Sequence, residues 1–213
     1  RCSVSYSASG TNNSVIKLYN GGDSYQGDGS SGLYIWGAQL EELSYPTSYI
    51  ATTGSTVTRA AETCNSAGNS TVFNDSEGVL FMNISAFING GGGDRTISIS
   101  DGSQSNSIQL LLHNTASRIN FRVRDGGSLE VNISDLETNQ TLDLKVACKY
   151  KSGDYSLFVN GTKKATTSSG NLPTGLNQLA FDDGASNDFY GKVKNIQVYN
   201  TALTDAELIE LTS

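Results

Sequence analysis

Short runs in which apolar and polar residues alternate fill most of the chain after residue 63, with Gly, Asn, Asp and Ser between them. Runs of this kind are typical of β-strands that bury one face and expose the other. They lie at 79–84, 96–99, 107–112, 118–123, 129–133, 142–150, 155–159, 178–181 and 193–199. Short strands at this spacing predict an all-β protein folded as an antiparallel β-sandwich.

The alternation also predicts how two hairpins pair. In the first, the apolar residues between 119 and 123 must share a face with those between 129 and 133. This register places Arg122 opposite Asn132. It also places Arg124 opposite Glu130, across a loop of odd length. In the second hairpin, the apolar residues between 144 and 150 face those between 155 and 159, across an even-length turn.

The end of the chain has a helical pattern. Thr204 and Glu207 have the spacing of a capping box, and Leu208, Ile209 and Leu211 follow as one apolar stripe. We therefore expect a short C-terminal helix docked at the edge of the sandwich.

The first 50 residues have a different organisation. They contain strand-like runs at 15–19 and 33–40, separated by a glycine-rich polar stretch at 21–32. Two or three strands do not form a stable sheet alone. We therefore expect residues 1–50 to be the C-terminal strands of an upstream jelly-roll-like domain. The Thr- and Ser-rich residues 51–62 are the predicted linker, and residues 63–213 are the sandwich.

The composition argues against two classes of binding partner, nucleic acids and membranes. The net charge of −7 argues against nucleic acid, which is bound by basic surfaces. No apolar run approaches the roughly 20 residues that span a bilayer, so we predict no membrane insertion. Three cysteines cannot all pair within one chain. Cys148 is in phase with inward apolar residues, which predicts a buried thiol, but a Cys64–Cys148 bridge remains open.

Two segments near the C-terminus carry a family resemblance. Residues 145–151 and 155–161, ending in Asn160-Gly161, resemble a strand pair of laminin-G-like and pentraxin-like domains. Residues 191–200, followed by Ala-Leu-Thr-Asp-Ala-Glu-Leu at 202–208, are similar to the closing strand and helix of those domains. The resemblance implies the concanavalin A-like lectin/glucanase fold, a laminin-G-like jelly roll with a short C-terminal helix.

A second resemblance concerns the setting. Residues 34–42, 46–50 and 57–62 are similar to a segment that closes a carbohydrate-binding-like jelly roll. That segment occurs in bacteriophage tail-fibre and other virion proteins, and in surface proteins of bacteria. The resemblance implies a location on the virion, in a homotrimeric fibre with other virion proteins as partners, or otherwise on the bacterial cell surface.

Catalytic patterns are missing from the sequence. Retaining glucanases need two carboxylates about 5 Å apart, carried on one strand. Glu41 and Glu42 are adjacent, so a strand would point them to opposite faces. His113 is the single histidine, and no nucleophile motif accompanies it. We therefore predict that the protein is not an enzyme.

The loop at 181–190 is one candidate binding site. It contains Asp182, Asp183, Asn187 and Asp188, and it ends at the aromatic Tyr190. Carboxylate and amide oxygens are ligands for calcium, and the three aspartates predict a calcium site. The resemblance to lectins implies glycan contacts on such rim loops. The alternative is a solvated turn, since Asp and Asn favour turns for local reasons.

Arg122 and Arg124 form the second candidate site, on the outward face of their strand. Either they pair across the hairpin with Glu130, or they form a groove that grips an acidic sugar or another subunit. The leading functional hypothesis is a non-enzymatic virion or tail-fibre adhesion module that binds a host surface polysaccharide, with avidity from trimerisation. The alternatives are a purely structural assembly domain and an accessory carbohydrate-binding module of a bacterial surface protein.

Overall fold

The computed structural model describes residues 29–30, 34–41, 48–58 and 67–213. The chain divides into two compact units, Arg1–Ala60 and Ala61–Ser213. In the second unit the strands are β1 (Glu77–Ala86), β2 (Arg95–Ser100), β3 (Ser107–Leu112), β4 (Ile119–Asp125), β5 (Ser128–Asp135), β6 (Leu144–Lys151), β7 (Tyr155–Val159), β8 (Thr162–Thr167), β9 (Gln178–Ala180) and β10 (Gly191–Tyr199), followed by helix α1 (Asp205–Thr212).

The strands form two antiparallel sheets of five strands each. The first sheet has the order β10-β1-β6-β7-β8, and the second has the order β5-β4-β3-β2-β9. Apolar side chains from the facing sides of both sheets make one core, which includes Leu80, Ile97, Phe121 and Leu157. This architecture confirms the predicted all-β antiparallel sandwich with a short C-terminal helix.

The hairpin registers were predictable in part. Cys148 pairs with Leu157 and Val146 with Val159, as the second hairpin requires. In the first hairpin, Arg122 pairs with Asn132, which confirms that part of the prediction.

The rest of the first register was predicted wrongly. Arg124 pairs with Leu129 rather than with Glu130, because the register shifts between Val123 and Arg124. Gly126 and Gly127, both with positive φ, make the two-residue connection between Asp125 and Ser128. The register shift leaves Glu130 as an extra residue in β5. A turn of even length can therefore join these strands, although the apolar residues alone predicted a turn of odd length.

Helix α1 lies on the outer face of the first sheet instead of at an edge of the sandwich. Leu208 is fully buried and belongs to a cluster with Val79, Phe81, Ala147 and Phe158. Those four residues point away from the main core, so their strands are apolar on both faces and need a cover. The predicted capping box is confirmed, since Thr204 and Glu207 exchange backbone and side-chain hydrogen bonds.

Residues 34–40, part of the strand predicted at 33–40, have no regular secondary structure. The side chain of Gln39 donates to the carbonyl of Ser48 and accepts from the amide of Ile50. The predicted run at 15–19 lies outside the described residues.

Cys148 is a free and fully buried thiol whose pKa is raised by burial. Among the described residues, no helix has the length and apolarity to cross a membrane.

Candidate functional site

The outer face of the second sheet is polar, although much of it is shielded from solvent. Alternation along β2, β3 and β4 turns Ile97, Ile108 and Phe121 into the core and their neighbours outward. At most 1% of the surface of several outward polar residues is exposed: Thr96, Ser98, Ser100, Ser107, Gln109 and Asn120. Such a face needs internal hydrogen bonds or a bound partner to satisfy its polar atoms.

Asn120 organises the centre of this face. Its side-chain Nδ2 donates to Asn132 Oδ1 and to Ser134 Oγ, both at 2.8 Å, across the β4–β5 pair. Its Oδ1 accepts from Arg118 Nε at 3.1 Å. The amide therefore fixes the stem of Arg118 against the sheet.

Three half-buried arginines share this face, and we call Arg118, Arg122 and Arg124 the arginine row. Residues two apart on a strand point to the same side and lie about 7 Å apart. The row therefore runs from Arg118, directly before β4, to Arg124 within it, with Asn120 between its first two members. In the described part of the chain, none of the three forms an ion pair with a carboxylate. The alternative of an Arg124–Glu130 pair does not hold, because the register shift moves Glu130 away and its carboxylate accepts from the amide of Asn171 at 3.1 Å.

Three buried polar atoms without a hydrogen-bond partner belong to residues of this face. The Nε atoms of Arg122 and Arg124 and the hydroxyl of Thr96 are buried and have no hydrogen-bond partner in the protein. Burial lowers the pKa of Arg122, while Asp94 favours its charged form and the neighbouring arginines disfavour it. Since an arginine keeps its proton in proteins, the row is a set of cations without a carboxylate partner among the described residues.

The loop at 182–188 borders this face along the edge next to β2. The hydroxyl of Ser98 donates to the carbonyl of Asp182 at 2.7 Å, and the amide of Thr96 donates to the carbonyl of Asn187 at 3.2 Å. The side chain of Asp182 accepts from the amide of Gly184 at 2.7 Å. The loop therefore forms one side of the polar face, where these hydrogen bonds hold it against β2.

Asp183 is the internal anchor of that loop, and it is only 2% exposed. Its Oδ1 accepts from the amides of Ala185, Ser186 and Asn187 at 3.0, 3.1 and 3.2 Å. Its Oδ2 accepts from the side chains of Asn187 and Gln104, both at 2.6 Å. Burial alone would raise the pKa of Asp183, but these hydrogen bonds outweigh it and hold the pKa below its ordinary value.

The structure does not bring the three loop aspartates together as a calcium site. Among the residues described, no group of three or more His, Cys, Asp or Glu side chains is arranged to hold a metal ion. The physical reason is that the side chain of Asp183 points inward and both of its oxygens accept hydrogen bonds from protein groups, whereas Asp188 is exposed.

Tyr190 is a structural residue of the loop. Its hydroxyl donates to the carbonyl of Gly92 at 2.6 Å, and its ring lies 5.5 Å from the guanidinium carbon of Arg95. Phe181 and Phe189 pack on each other, with ring centroids 6.3 Å apart, and against the core. The aromatic side chains that suggested sugar stacking are thus in contact with protein groups.

Sequence reasoning missed three residues of the site. Arg118 has the same phase as Arg122 and Arg124, and strand alternation extended by one pair would have included it. Asp94 and His113 interact electrostatically with Arg122, but they lie in loops where no periodicity indicates direction. Burial lowers the pKa of His113, Asp94 opposes that effect, and the nearby Arg118 and Arg122 add to it.

A surface cavity of about 450 Å³ shares no residue with this face. It is lined in part by Phe73, Asp75 and Leu176. The carboxylate of Asp75 already accepts from the amides of Gly175 and Leu176, at 2.7 and 3.0 Å. We therefore place the candidate site on the sheet face.

Two packed antiparallel sheets, the second with a polar outer face, form a β-sandwich. Residues 82–209 match the Laminin_G_3 family model, described as the concanavalin A-like lectin/glucanases superfamily, and the chain belongs to that superfamily. This confirms the family implied by the closing strand and helix. No curated protein matches the sequence.

Solved structures with the same fold come from several sialidases. The CBM40 module of a Ruminococcus gnavus IT-sialidase, bound to α2,3-sialyllactose, is 22% identical with a TM-score of 0.56, over 67% of this chain and 86% of that chain. The leech intramolecular trans-sialidase is 20% identical with a TM-score of 0.53, over 65% of this chain and 23% of that one. The NanB sialidase of Streptococcus pneumoniae is 16% identical with a TM-score of 0.51, over 65% and 24%. At these identities the likeness concerns the fold.

Proposed function

We propose that this protein is a non-catalytic carbohydrate-binding module, and that the arginine row on the second sheet binds an acidic sugar. The observation that carries the proposal is the state of Arg122 and Arg124. Both are half-buried cations with an unpartnered Nε, on a face from which no described carboxylate forms an ion pair with them. A ligand carboxylate would supply the ionic partner that neither guanidinium has among the described residues.

The surroundings of the row suit a sugar. The side chains of Asn132, which is exposed, and Ser134, which is half-buried, lie on the same face and can exchange hydrogen bonds with sugar hydroxyls. The CBM40 module of R. gnavus, which has this fold, is bound to sialyllactose, a sugar that carries one carboxylate. That comparison supports carbohydrate binding, and the unpaired arginines support an acidic ligand.

The setting that these comparisons favour is an accessory module of a bacterial surface protein. The virion and tail-fibre setting rests on the resemblance of residues 34–62 to phage proteins. Multivalency separates the two, because a fibre presents three copies of each site. We expect a sedimentation measurement on the full chain to give a monomer for an accessory module and a trimer for a fibre.

A glycan array tests the proposal. We expect binding to glycans that end in a carboxylate-bearing sugar, no binding to their neutral counterparts, and weaker binding as salt concentration rises. Equal binding to neutral and acidic glycans would exclude the arginine row as the recognition element. An array with no bound glycan would contradict carbohydrate binding and favour a structural assembly domain.

A further inference from the structure

We infer that Arg95 and Gln140, which do not lie in the arginine row, form an internal latch that positions the 113–118 turn and with it one end of that row. The inference rests on the proposed function for its consequence in binding, but the latch itself is a structural claim. Both residues are 0% exposed. Neither was singled out by the sequence pattern.

Arg95 is a buried cation with no carboxylate partner among the described residues. Its guanidinium donates to the carbonyls of Ile88 and His113 at 3.1 and 3.3 Å, and to Gln140 Oε1 at 2.7 Å. The ring of Tyr190 lies 5.5 Å from its guanidinium carbon. Its Nε has no partner. Arg95 therefore connects the loop before β2 with the turn after β3.

Gln140 makes the complementary contacts from the loop before β6. Its Nε2 donates to the carbonyls of His113, Thr115 and Arg118, at 2.9, 3.3 and 2.7 Å. Its Oε1 accepts from Arg95 and from the amide of Gly90 at 3.0 Å. One side-chain amide thus reaches most of the length of the 113–118 turn.

The outside of the same turn is held by the glycine loop at 89–94. Asn89 Oδ1 accepts from the amide of Ser117 at 2.8 Å, and Asp94 Oδ1 accepts from the amide of Asn114 at 2.8 Å. Ser117 has φ of 58°, a left-handed conformation that costs energy in a residue with a Cβ. A strained residue persists only where its surroundings determine it, which agrees with a turn held from two sides.

A purely stabilising role does not account for this arrangement. A buried arginine without a counter-ion is costly, and apolar replacements of buried charges are often as stable or more so. Arg95 and Gln140 instead fix the orientation of the 113–118 turn, because their side chains donate to three of its carbonyls. The last of these belongs to Arg118, the first member of the arginine row. The first belongs to His113, whose ring Nδ1 accepts from the amide of Thr115 at 2.9 Å.

His113 supplies a direct readout, because it is the single histidine of the chain. The test compares wild type with Gln140→Glu, by NMR of the His113 ring nitrogens and by titration with 3′-sialyllactose. The glutamate keeps an oxygen for Arg95 and adds a counter-charge, but it cannot donate to the three carbonyls. We expect a lower unfolding temperature, because a glutamate oxygen would face three carbonyl oxygens. We also expect a changed His113 Nδ1 shift, loss of exchange protection at the Thr115 amide, and at least about 10-fold weaker sugar binding.

Gln140→Met is a second variant, which has neither a donor nor a charge at this position. It should show the same His113 change. Lys149→Met is the matched control. Lys149 is also a buried cation, but it lies on the first sheet and pairs with Asp154 in the turn after β6 and with Asp205 at the start of α1. This control variant should lower stability and leave both the His113 signal and sugar affinity unchanged. A wild-type His113 spectrum in both Gln140 variants would overturn the latch. A wild-type protein that binds no acidic sugar would contradict the proposed function, while the His113 signal would still decide the latch.

Discussion

The carboxylate of Asp183 accepts hydrogen bonds from both amide groups of Asn187, at 3.2 Å from the backbone nitrogen and 2.6 Å from side-chain Nδ2. This pair closes the loop at 182–188 on itself and turns its most buried acid away from solvent. The consequence is that the loop beside the arginine row is internally hydrogen-bonded, and protein donors stabilise Asp183 as a carboxylate, whose charge also favours the charged form of Arg122.

Asp183→Ala should destabilise the protein by about 2–4 kcal/mol, because several donors lose their acceptor and some of them are shielded from water. Urea unfolding measures the effect. Asp188→Ala is the control within the same loop, and we expect a change within about 0.5 kcal/mol, since Asp188 is exposed. Equal costs for the two variants would contradict the anchoring role of Asp183.

The stability that Asp183 contributes should disappear in acid. Its pKa is lowered in the folded protein, so its contribution is complete above the ordinary carboxyl pKa of about 4 and is lost as pH falls through the folded value. The free energy of unfolding of wild type and Asp183→Asn, measured between pH 7 and pH 3, should therefore differ by a constant amount down to about pH 5 and converge below about pH 4. A difference that grows with acidification would have the wrong sign for this mechanism.

Gly90 and Gly93 should respond differently to a methyl group although both have positive φ, of 77° and 100°. A Cβ on Gly90 would lie 2.4 Å from the amide nitrogen of Ala116, whereas a Cβ on Gly93 meets nothing within 4 Å. We expect Gly93→Ala to cost about 1 kcal/mol from backbone strain alone, and Gly90→Ala to cost about 2 kcal/mol more. Chemical denaturation of both variants isolates the contact between the glycine loop and the 113–118 turn, and similar costs would argue against it.

The C-terminal helix should stabilise the first sheet through one side chain. Leu208 is 0% exposed and packs beside Phe81 and Phe158. Leu208→Ala should cost about 2–4 kcal/mol, while Ile209→Ala, at a position that is 43% exposed, should cost less than about 1 kcal/mol. Thermal unfolding of the two variants compares them, and a larger effect at Ile209 would mean that the helix presents a different face.

The sandwich was predictable because its strands bury one face. The alternation through Ile119, Phe121 and Val123 required the core-facing register, and the pairing of Arg122 with Asn132 followed. Strand β8 was missed because it is an edge strand rich in Thr and Lys and carries no apolar pattern. The irregularity before Arg124 could not be predicted from alternation. A bulge adds one extra residue to one strand of a pair, and a strict two-residue period contains no signal for where that residue lies.

The site was predictable to a smaller degree. Arg122 and Arg124 were identified because strand phase points them outward, and the same phase includes Arg118. The direction of the loop aspartates was not predictable, because Asp182 and Asp183 are adjacent in a segment without periodicity, and only the hydrogen bonds to Asn187 and Gln104 determine that Asp183 turns inward. Nor did the sequence indicate that Arg95 is buried, since a charged residue at the start of a strand is ordinarily exposed.

In the proposed function, Arg122 binds the acidic group of a sugar. Calorimetric titration of the wild-type protein with 3′-sialyllactose and with lactose, repeated on Arg122→Gln, tests it most directly. Lys192→Gln is the control for net charge, since Lys192 is exposed on the first sheet. We expect wild type and Lys192→Gln to bind the acidic sugar and not lactose, and Arg122→Gln to bind it about 10- to 100-fold more weakly. Undiminished binding by Arg122→Gln would contradict the account.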